Sequence, residues 1–453
     1  MHRRAQAASF ATISPVDLST IDARYPDHVT QLKALYAEAL QEAGYDAVVI
    51  HSGTPQKKTS YDDAYWPLRP TPFFQHWVAL NEPHCFLVVH ADQRVQLTWP
   101  RTTDFWERPA APESTAFMQI LDVVRSATPE LPRGKVAFLG EDGTRGTALG
   151  IPAEHHDPRP LLDALVRLRT RKTGYEVACL YEANRRAALG HDAVRRAFAE
   201  GASSELALHL LYLNVTNQDD PETPYKNIVA TGRNASILHH ISYGRDVTRA
   251  ETLLLDAGAT CLGYCSDITR TWVKPGGVAS DAFTALLAGM EAMQQRLVAK
   301  IAAGSPYEEL HDDSHRQVSA ILADAGLVNA SADEIDAKGI SRVFYPHGLG
   351  HSLGLQTHDV GCAVIKPKEE NPFLRNTSRI AEGQVFTIEP GLYFIDSLLA
   401  ELRQKPEGTL VDWNLVEVLG PLGGIRIEDD VLVTATGSRN LSREVLPVGG
   451  GPV

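Results

Sequence analysis

Five segments in the second half of the chain place acidic or histidine side chains where a folded protein ordinarily puts apolar ones. In Thr252-Leu-Leu-Leu-Asp256 a carboxylate ends an apolar run, so a strand delivers Asp256 to an interior edge. Asp267 follows eleven positions later, with Gly258 and Gly263 between, a spacing that suits a hairpin bringing both carboxylates together. The stretch Pro346 to Asp359 holds His347, His351 and His358 interleaved with glycines, so imidazoles converge from tightly turned backbone. Glu389 ends an apolar-rich strand and is pinned by Pro390. Arg426 and Glu428 lie two apart and share one face of a strand, where Arg426 can hydrogen-bond a metal-bound carboxylate from behind.

Two buried carboxylates cannot both stay ionised side by side without a compensating cation. Four carboxylates with one or more imidazoles, and no thiolate, suit hard or borderline ions: Mn²⁺ first, with Co²⁺ or Zn²⁺ also compatible. That much negative charge exceeds what one divalent ion balances, which points to two. Paired ions a few Å apart deprotonate a bridging water and polarise a carbonyl, which is hydrolytic chemistry.

A chain of 453 residues exceeds the size at which one core keeps growing, and two domains are expected, 1–160 and 161–453. In the first, residues 28–43 carry helical periodicity (Val29, Leu32, Leu35, Tyr36, Leu40). Strands are expected over Ala47–Ile50, Cys85–Val89, Val95–Thr98 and Lys135–Gly140. The aromatic- and proline-rich stretch Tyr61 to Trp77 reads as a long surface or interface loop. Gly140 to Gly146 has neither a P-loop lysine nor a dinucleotide fingerprint and reads as a turn. A helical connector over 159–172 leads to a second helix, with Thr173 as N-cap and Glu176 at N3 of a capping box. Downstream, strands alternate with long helices. The fold class is α/β (α+β), a small N-terminal α/β domain followed by a larger catalytic one.

Composition is that of an ordinary globular protein, and the formal net charge of −13 repels phosphate backbones, so nucleic acid is not an expected partner. The Arg185-Arg186 and Arg195-Arg196 pairs read as a solvated helix face. Five scattered cysteines, an odd number, argue against a disulfide framework and for a reducing compartment, and Cys261 and Cys265 read as buried strand residues. The N-terminal stretch has no apolar core of signal-peptide length, and no apolar run approaches the roughly 18 residues of a bilayer span. A soluble, cytoplasmic protein without a membrane partner is expected.

The ordered motifs LLLDAGAT, SDITRTW, PHGLGHSLGLQTHDV, FTIEPGLYFIDSLLA and GGIRIEDD, preceded by VATGRNASILH from Val229 to His239, resemble the pita-bread metallopeptidases. Within that group, which includes methionine aminopeptidase and aminopeptidase P, the resemblance is closest to the bacterial Xaa-Pro dipeptidases, or prolidases, and covers essentially the whole chain. It implies a C-terminal pita-bread (creatinase/aminopeptidase-like) domain that hydrolyses Xaa-Pro dipeptides through a hydroxide bridging two metal ions. By resemblance, Asp256 chelates one ion, Asp267 and Glu428 bridge, and His351 and Glu389 bind the second. Glu389 is also the proton shuttle. His239, at the end of a Ser236–His239 strand, and His358 contact the substrate and its tetrahedral intermediate. Arg375 holds the substrate's terminal carboxylate, His347 is a substrate or ligand-supporting group, Tyr225 lines the pocket, and Arg426 is grouped with the substrate-binding residues.

Two positions depart from close relatives. His240 stands where a tyrosine is usual, and Ser378, followed by Arg379, stands where a second arginine is common. The resemblance also implies a homodimer in which the N-terminal domain of one subunit helps close the other's site, with Tyr61 to Trp77 as the candidate segment. Aminopeptidase P action on longer peptides, organophosphate ester hydrolysis as a side activity, and a binding-only module are the competing readings. Arg375 opposes the first, and the full ligand set opposes the last.

Overall fold

The computed structural model describes residues 17–101, 106, 108, 111–202, 204–246, 250–276 and 281–448. The segment on which the reading of the N-terminus rests lies largely outside them. Strands β1 (Ala47–His51), β2 (Phe86–His90), β3 (Val95–Thr98), β4 (Asp122–Val124) and β5 (Val136–Leu139) form one sheet in the order β4-β3-β2-β1-β5. β1 is antiparallel to β2 and parallel to β5. Every residue of β1 and β5 is buried, as strands covered on both faces must be. The helix Tyr25–Ala43 turns Val29, Leu32, Tyr36 and Leu40 onto one face of the sheet, against Val48, Ile50, Leu87 and Val89. β4 was not anticipated: its three residues are mostly exposed and carry no run long enough to signal a strand.

The same apolar core continues into the second half through Leu161, Leu165, Cys179, Leu180, Leu353 and Val385. Thr173 caps the helix Gly174–Ala199 with the expected capping box. The cap also joins the halves, because Thr173 Oγ1 meets His28 Nδ1 at 2.8 Å and the capping Glu176 lies 3.6 Å from His76.

Around the site, Ile228–Thr231, Thr252–Asp256 and Thr269–Val273 form an antiparallel sheet, with Asp256 paired to Thr269. Thr269 also pairs with Glu428, tying this sheet to the ribbon Gly391–Leu392/Ile425–Arg426 and to the sheet Val385–Ile388/Asp429–Thr434/Gly437–Asn440. Long helices, Asp281–Ala299 and Tyr307–Asp324 among them, cover these strands from outside.

Three expectations need correction. Gly140 to Gly146 is not only a turn, since Asp142 accepts from Thr144 N and starts a short helix, Gly143–Ala148. The stretch Tyr61 to Trp77 contains one helical turn, Pro72–Gln75. Its Arg69 donates to the carbonyls of Thr223 and Pro224 in its own chain, at 2.7 and 3.0 Å. Arg186 is not part of a solvated face: its side chain is 13% exposed and donates to the Thr260 carbonyl. All five cysteines are buried and free, with Cys261 and Cys265 on short strands as read.

Candidate metal centre and active site

The pairing of Asp256 with Thr269 leaves Asp267 just beyond the strand end, beside Asp256. Tyr225 Oη lies 2.6 Å from Asp256 Oδ1 and 2.5 Å from Asp267 Oδ1. One hydroxyl has one proton and cannot satisfy two carboxylates. The strand Val385–Ile388 brings in the next pair. Thr387 N donates to the His351 carbonyl and Glu389 N to that of Leu349, so Glu389 and His351 are placed by one stretch of pairing. Gly350 is required there, since a Cβ would collide with the Thr387 carbonyl.

His351 Nδ1 faces the carbonyl of Ser352 at 3.1 Å and therefore carries the hydrogen, leaving Nε2 to face the acids. That nitrogen lies 3.4 Å from Asp267, 3.6 Å from Glu389 and 3.9 Å from Glu428. Donor atoms of Asp267, His351 and Glu428 all fall within 4.8 Å of one another. The five residues read from the sequence as ligands are thus brought together, all of them largely buried.

The electrostatics of this cluster call for a cation. Burial, with repulsion from Asp267, Glu389 and Asp256, pushes the Glu428 carboxyl well up. Burial likewise raises Glu389, with Asp267 and Asp256 adding and His351 and Arg426 opposing. Asp267 is raised by burial and by Asp256 against the pull of His351. Burial alone would lower His351, but its bond to Asp267 and the charge of Glu389 carry it to about 9. Left to themselves these groups favour their protonated forms more than they would in water. Oxygen-rich donors with one imidazole fit divalent ions that would replace those protons.

Behind these acids and His351 stands a hydrogen-bonded scaffold. Arg426 donates to Asp256 Oδ2 at 2.6 Å and to Tyr393 Oη at 3.1 Å. Tyr393 Oη lies 2.8 Å from His347 Nε2, and His347 Nδ1 faces the Gly348 carbonyl. The carbonyl fixes the hydrogen on Nδ1, so Tyr393 donates to Nε2 and accepts from Arg426. Burial and the charge of Arg426 hold the His347 imidazole down at about 3, hence neutral. Thr269 Oγ1 donates to Glu428 at 2.7 Å.

The Arg426 guanidinium is buried at the cavity floor and engaged with Asp256 and Tyr393. Arg426 does not share an unbroken strand with Glu428, since the ribbon ends at Arg426 and the next strand begins at Asp429.

Above the cluster opens a cavity of about 1800 Å³, lined from the catalytic half by Tyr225, His239, His347, His358 and Arg375 and from the N-terminal half by Arg69. Arg375 is exposed and, among the described residues, has no hydrogen-bond or ion-pair partner. His239 also faces the cavity, but in a turn after the 3₁₀ helix Gly232–Ser236 and not on a strand. The physical reason is Glu205, fully buried, whose carboxylate takes bonds from Thr231, Asn234, His240 and Gly244 and curls the chain around itself. His240, the departure from the usual tyrosine, is thereby spent on Glu205 at 2.9 Å. Arg379 does not replace the missing second arginine, because it donates to the Gly304 carbonyl.

Residues 178–435 match metallopeptidase family M24, and residues 23–166 match the N-terminal domain of Xaa-Pro dipeptidases. The chain belongs to metallopeptidase family M24. It is 40% identical over 446 residues to the Xaa-Pro dipeptidase of Aeromonas hydrophila, covering 94% of this chain and 99% of that one. It is 37% identical to that of Pseudoalteromonas atlantica, covering 93% and 98%. Among solved structures, Escherichia coli aminopeptidase P with the inhibitor Pro-Leu superposes with a TM-score of 0.68 at 22% identity, covering 95% of each chain. Yersinia pestis proline aminopeptidase P II gives 0.67 at 24%, covering 93% and 96%. The fold is therefore the pita-bread fold of these M24 enzymes behind a small α/β domain.

Sequence reasoning missed Tyr393, Thr269 and Glu205. Tyr393 stood in a quoted motif without a role. Thr269 has no signal beyond its place two residues after Asp267.

Proposed function

We infer that the chain is a metal-dependent Xaa-Pro dipeptidase working with two divalent ions. The observation that carries this reading is Arg375, without a hydrogen-bond or ion-pair partner among the described residues, on the wall of the cavity whose floor is the acid–histidine cluster. Asp256 would hold one ion, His351 and Glu389 the other, with Asp267 and Glu428 shared between them. Bound there, divalent ions supply an activated water and polarise the scissile carbonyl. Mn²⁺ is the proposed metal, from the oxygen-rich donor set.

The protein's own groups do the rest. Arg375 grips the substrate's terminal carboxylate, which sets the distance to the scissile bond and favours dipeptides. The carboxylate of Glu389 accepts a proton from the attacking water and delivers it to the proline nitrogen, which has no N–H of its own. His239 and His358 reach the carbonyl oxygen as charge develops on it. Tyr225 keeps Asp256 and Asp267 together, and Arg426 with Tyr393 keeps Asp256 and His347 oriented.

Residues 1–160 are proposed to form a homodimer and to help close the partner subunit's site, with the stretch Tyr61 to Trp77 as the candidate segment. Among the described residues no helix is long and apolar enough to cross a membrane. Five free buried cysteines favour a reducing, cytoplasmic setting.

The test is hydrolysis of Ala-Pro, Ala-Pro-Ala and Ala-Ala by metal-stripped protein with and without Mn²⁺. Cleavage of Ala-Pro alone, restored by Mn²⁺ and abolished in Asp267→Ala, is expected. Release of Ala from Ala-Pro-Ala would move the assignment to aminopeptidase P and remove Arg375 from its role. No metal-dependent cleavage would revive the binding-module reading.

A further inference from the structure

His358 faces the cavity. Among the described residues its imidazole makes no hydrogen bond, and its one ring contact is edge-on to His351, centroids 4.3 Å apart. Its direction is therefore set by its backbone. That backbone is fastened at the next residue. The Asp359 side chain is 1% exposed and accepts from Arg169 at 2.5 Å and from Lys172 at 2.9 Å, both themselves at most 2% exposed. Arg169 also donates to Gln356 Oε1 at 3.1 Å, gripping the turn on the other side of His358. Asp359 N closes the turn onto the Ser352 carbonyl at 2.8 Å. Gly354 inside it has no room for a Cβ, which would strike the Asp359 carboxylate.

A buried carboxylate with two buried cations is a costly way to hold a surface turn, and burying apolar residues there would stabilise the fold as well or better. What the ionic arrangement provides is direction: a planar guanidinium and an ammonium admit one placement of the Asp359 oxygens. Both cations come from the helix Arg159–Arg169 and the residues just after it, which connect the halves of the chain. Arg169 also lies over the Phe73 ring at 5.3 Å, a residue of the N-terminal half.

We propose that Arg169, Lys172 and Asp359 form a positioning clamp that aims His358 at the substrate, so that the connector sets the geometry of a transition-state contact. The clamp holds no metal and touches no substrate. It acts through His358, and so rests on the reading of His358 given above.

The experiment is a double-mutant cycle on the Mn²⁺-loaded full chain with Ala-Pro, comparing Asp359→Asn, His358→Ala and both together, with metal content and melting temperature recorded for each. Asp359→Asn is expected to lower kcat by about tenfold to a hundredfold while KM and bound metal change little, because misplacement by about 1 Å has effects of that size. In the His358→Ala background it should add nothing further. Lys172→Arg should keep more activity than Lys172→Met. Independent, multiplying losses would overturn the clamp while leaving the dipeptidase reading intact. Loss of metal in Asp359→Asn would also overturn it, by showing that the triad serves His351. A His358→Ala enzyme with unchanged turnover would remove the role of His358 and the clamp with it. Should Asp359→Asn not fold, Lys172→Met, which leaves the Arg169 bond in place, carries the same cycle under the same criteria.

Discussion

The acids and His351 were readable at the residue scale because their chemistry is written in type and spacing, and their behaviour follows from being crowded and buried. Asp267 is raised, Glu389 is raised to about 7 and Glu428 well up, and His351 is raised to about 9. A raised carboxyl favours the folded state while protonated, and its contribution falls once pH climbs past the unfolded value near 4. A histidine raised to about 9 contributes fully below its unfolded value near 6.5 and loses that contribution as pH passes about 9. Both signs agree: metal-free protein should lose stability from pH 5 to pH 9, and Mn²⁺ should restore it most at the alkaline end. Calorimetry in two buffers of different ionisation enthalpy should show proton release on metal binding. A metal-free melting temperature that rises with pH would contradict the assignment. Arg375→Ala should raise KM for Ala-Pro by roughly 30-fold, about 2 kcal/mol of charge-assisted hydrogen bonding, with kcat little changed. A dipeptide amide lacking the carboxylate should not distinguish the two enzymes.

At the scale of elements, the site depends on backbone pairing that places side chains from distant segments. Gly350→Ala should displace His351 by forcing a Cβ against Thr387, and the protein should hold less metal at fixed Mn²⁺ while its circular dichroism stays near wild type. Thr173→Ala removes a helix cap that also meets His28, and should cost about 1 kcal/mol or more, read as a shift in urea midpoint. This cap was legible from Thr173 and Glu176 alone because capping is a local contract over four residues. The turn carrying His239 was not, because an apolar run after Ile228–Thr231 looks like more strand until Glu205, far away in sequence, draws Thr231, Asn234 and His240 around it.

For the whole molecule, the interface between the halves reaches the candidate site. Arg69 reaches from the N-terminal half to the carbonyls of Thr223 and Pro224, immediately before the Tyr225 that joins Asp256 and Asp267. Arg69→Ala should weaken metal retention on dialysis without changing the fold, because the loop bearing Tyr225 loses its strap. Unchanged metal content would confine Arg69 to the cavity wall. The homodimer proposed above should appear in sedimentation at a mass near twice that of one chain, and a single-chain mass would leave Arg69 and its neighbours to close their own site only.

The sequence by itself pointed to the acid–histidine cluster, to metallopeptidase chemistry and to most of the elements, and its resemblance to the M24 family supplied the proposed ligand roles. Periodicity, capping and motif spacing are local, and although a carboxylate ending one apolar run is common, five spaced motifs in order are specific. Tertiary structure decided the partners of the supporting groups: Tyr225 between two acids, Arg426 on Asp256 in particular, and Arg169 on an aspartate 190 residues away. Such partnerships leave no periodic trace, because a buried charge is satisfied by whatever the fold brings within about 3 Å, from any distance along the chain.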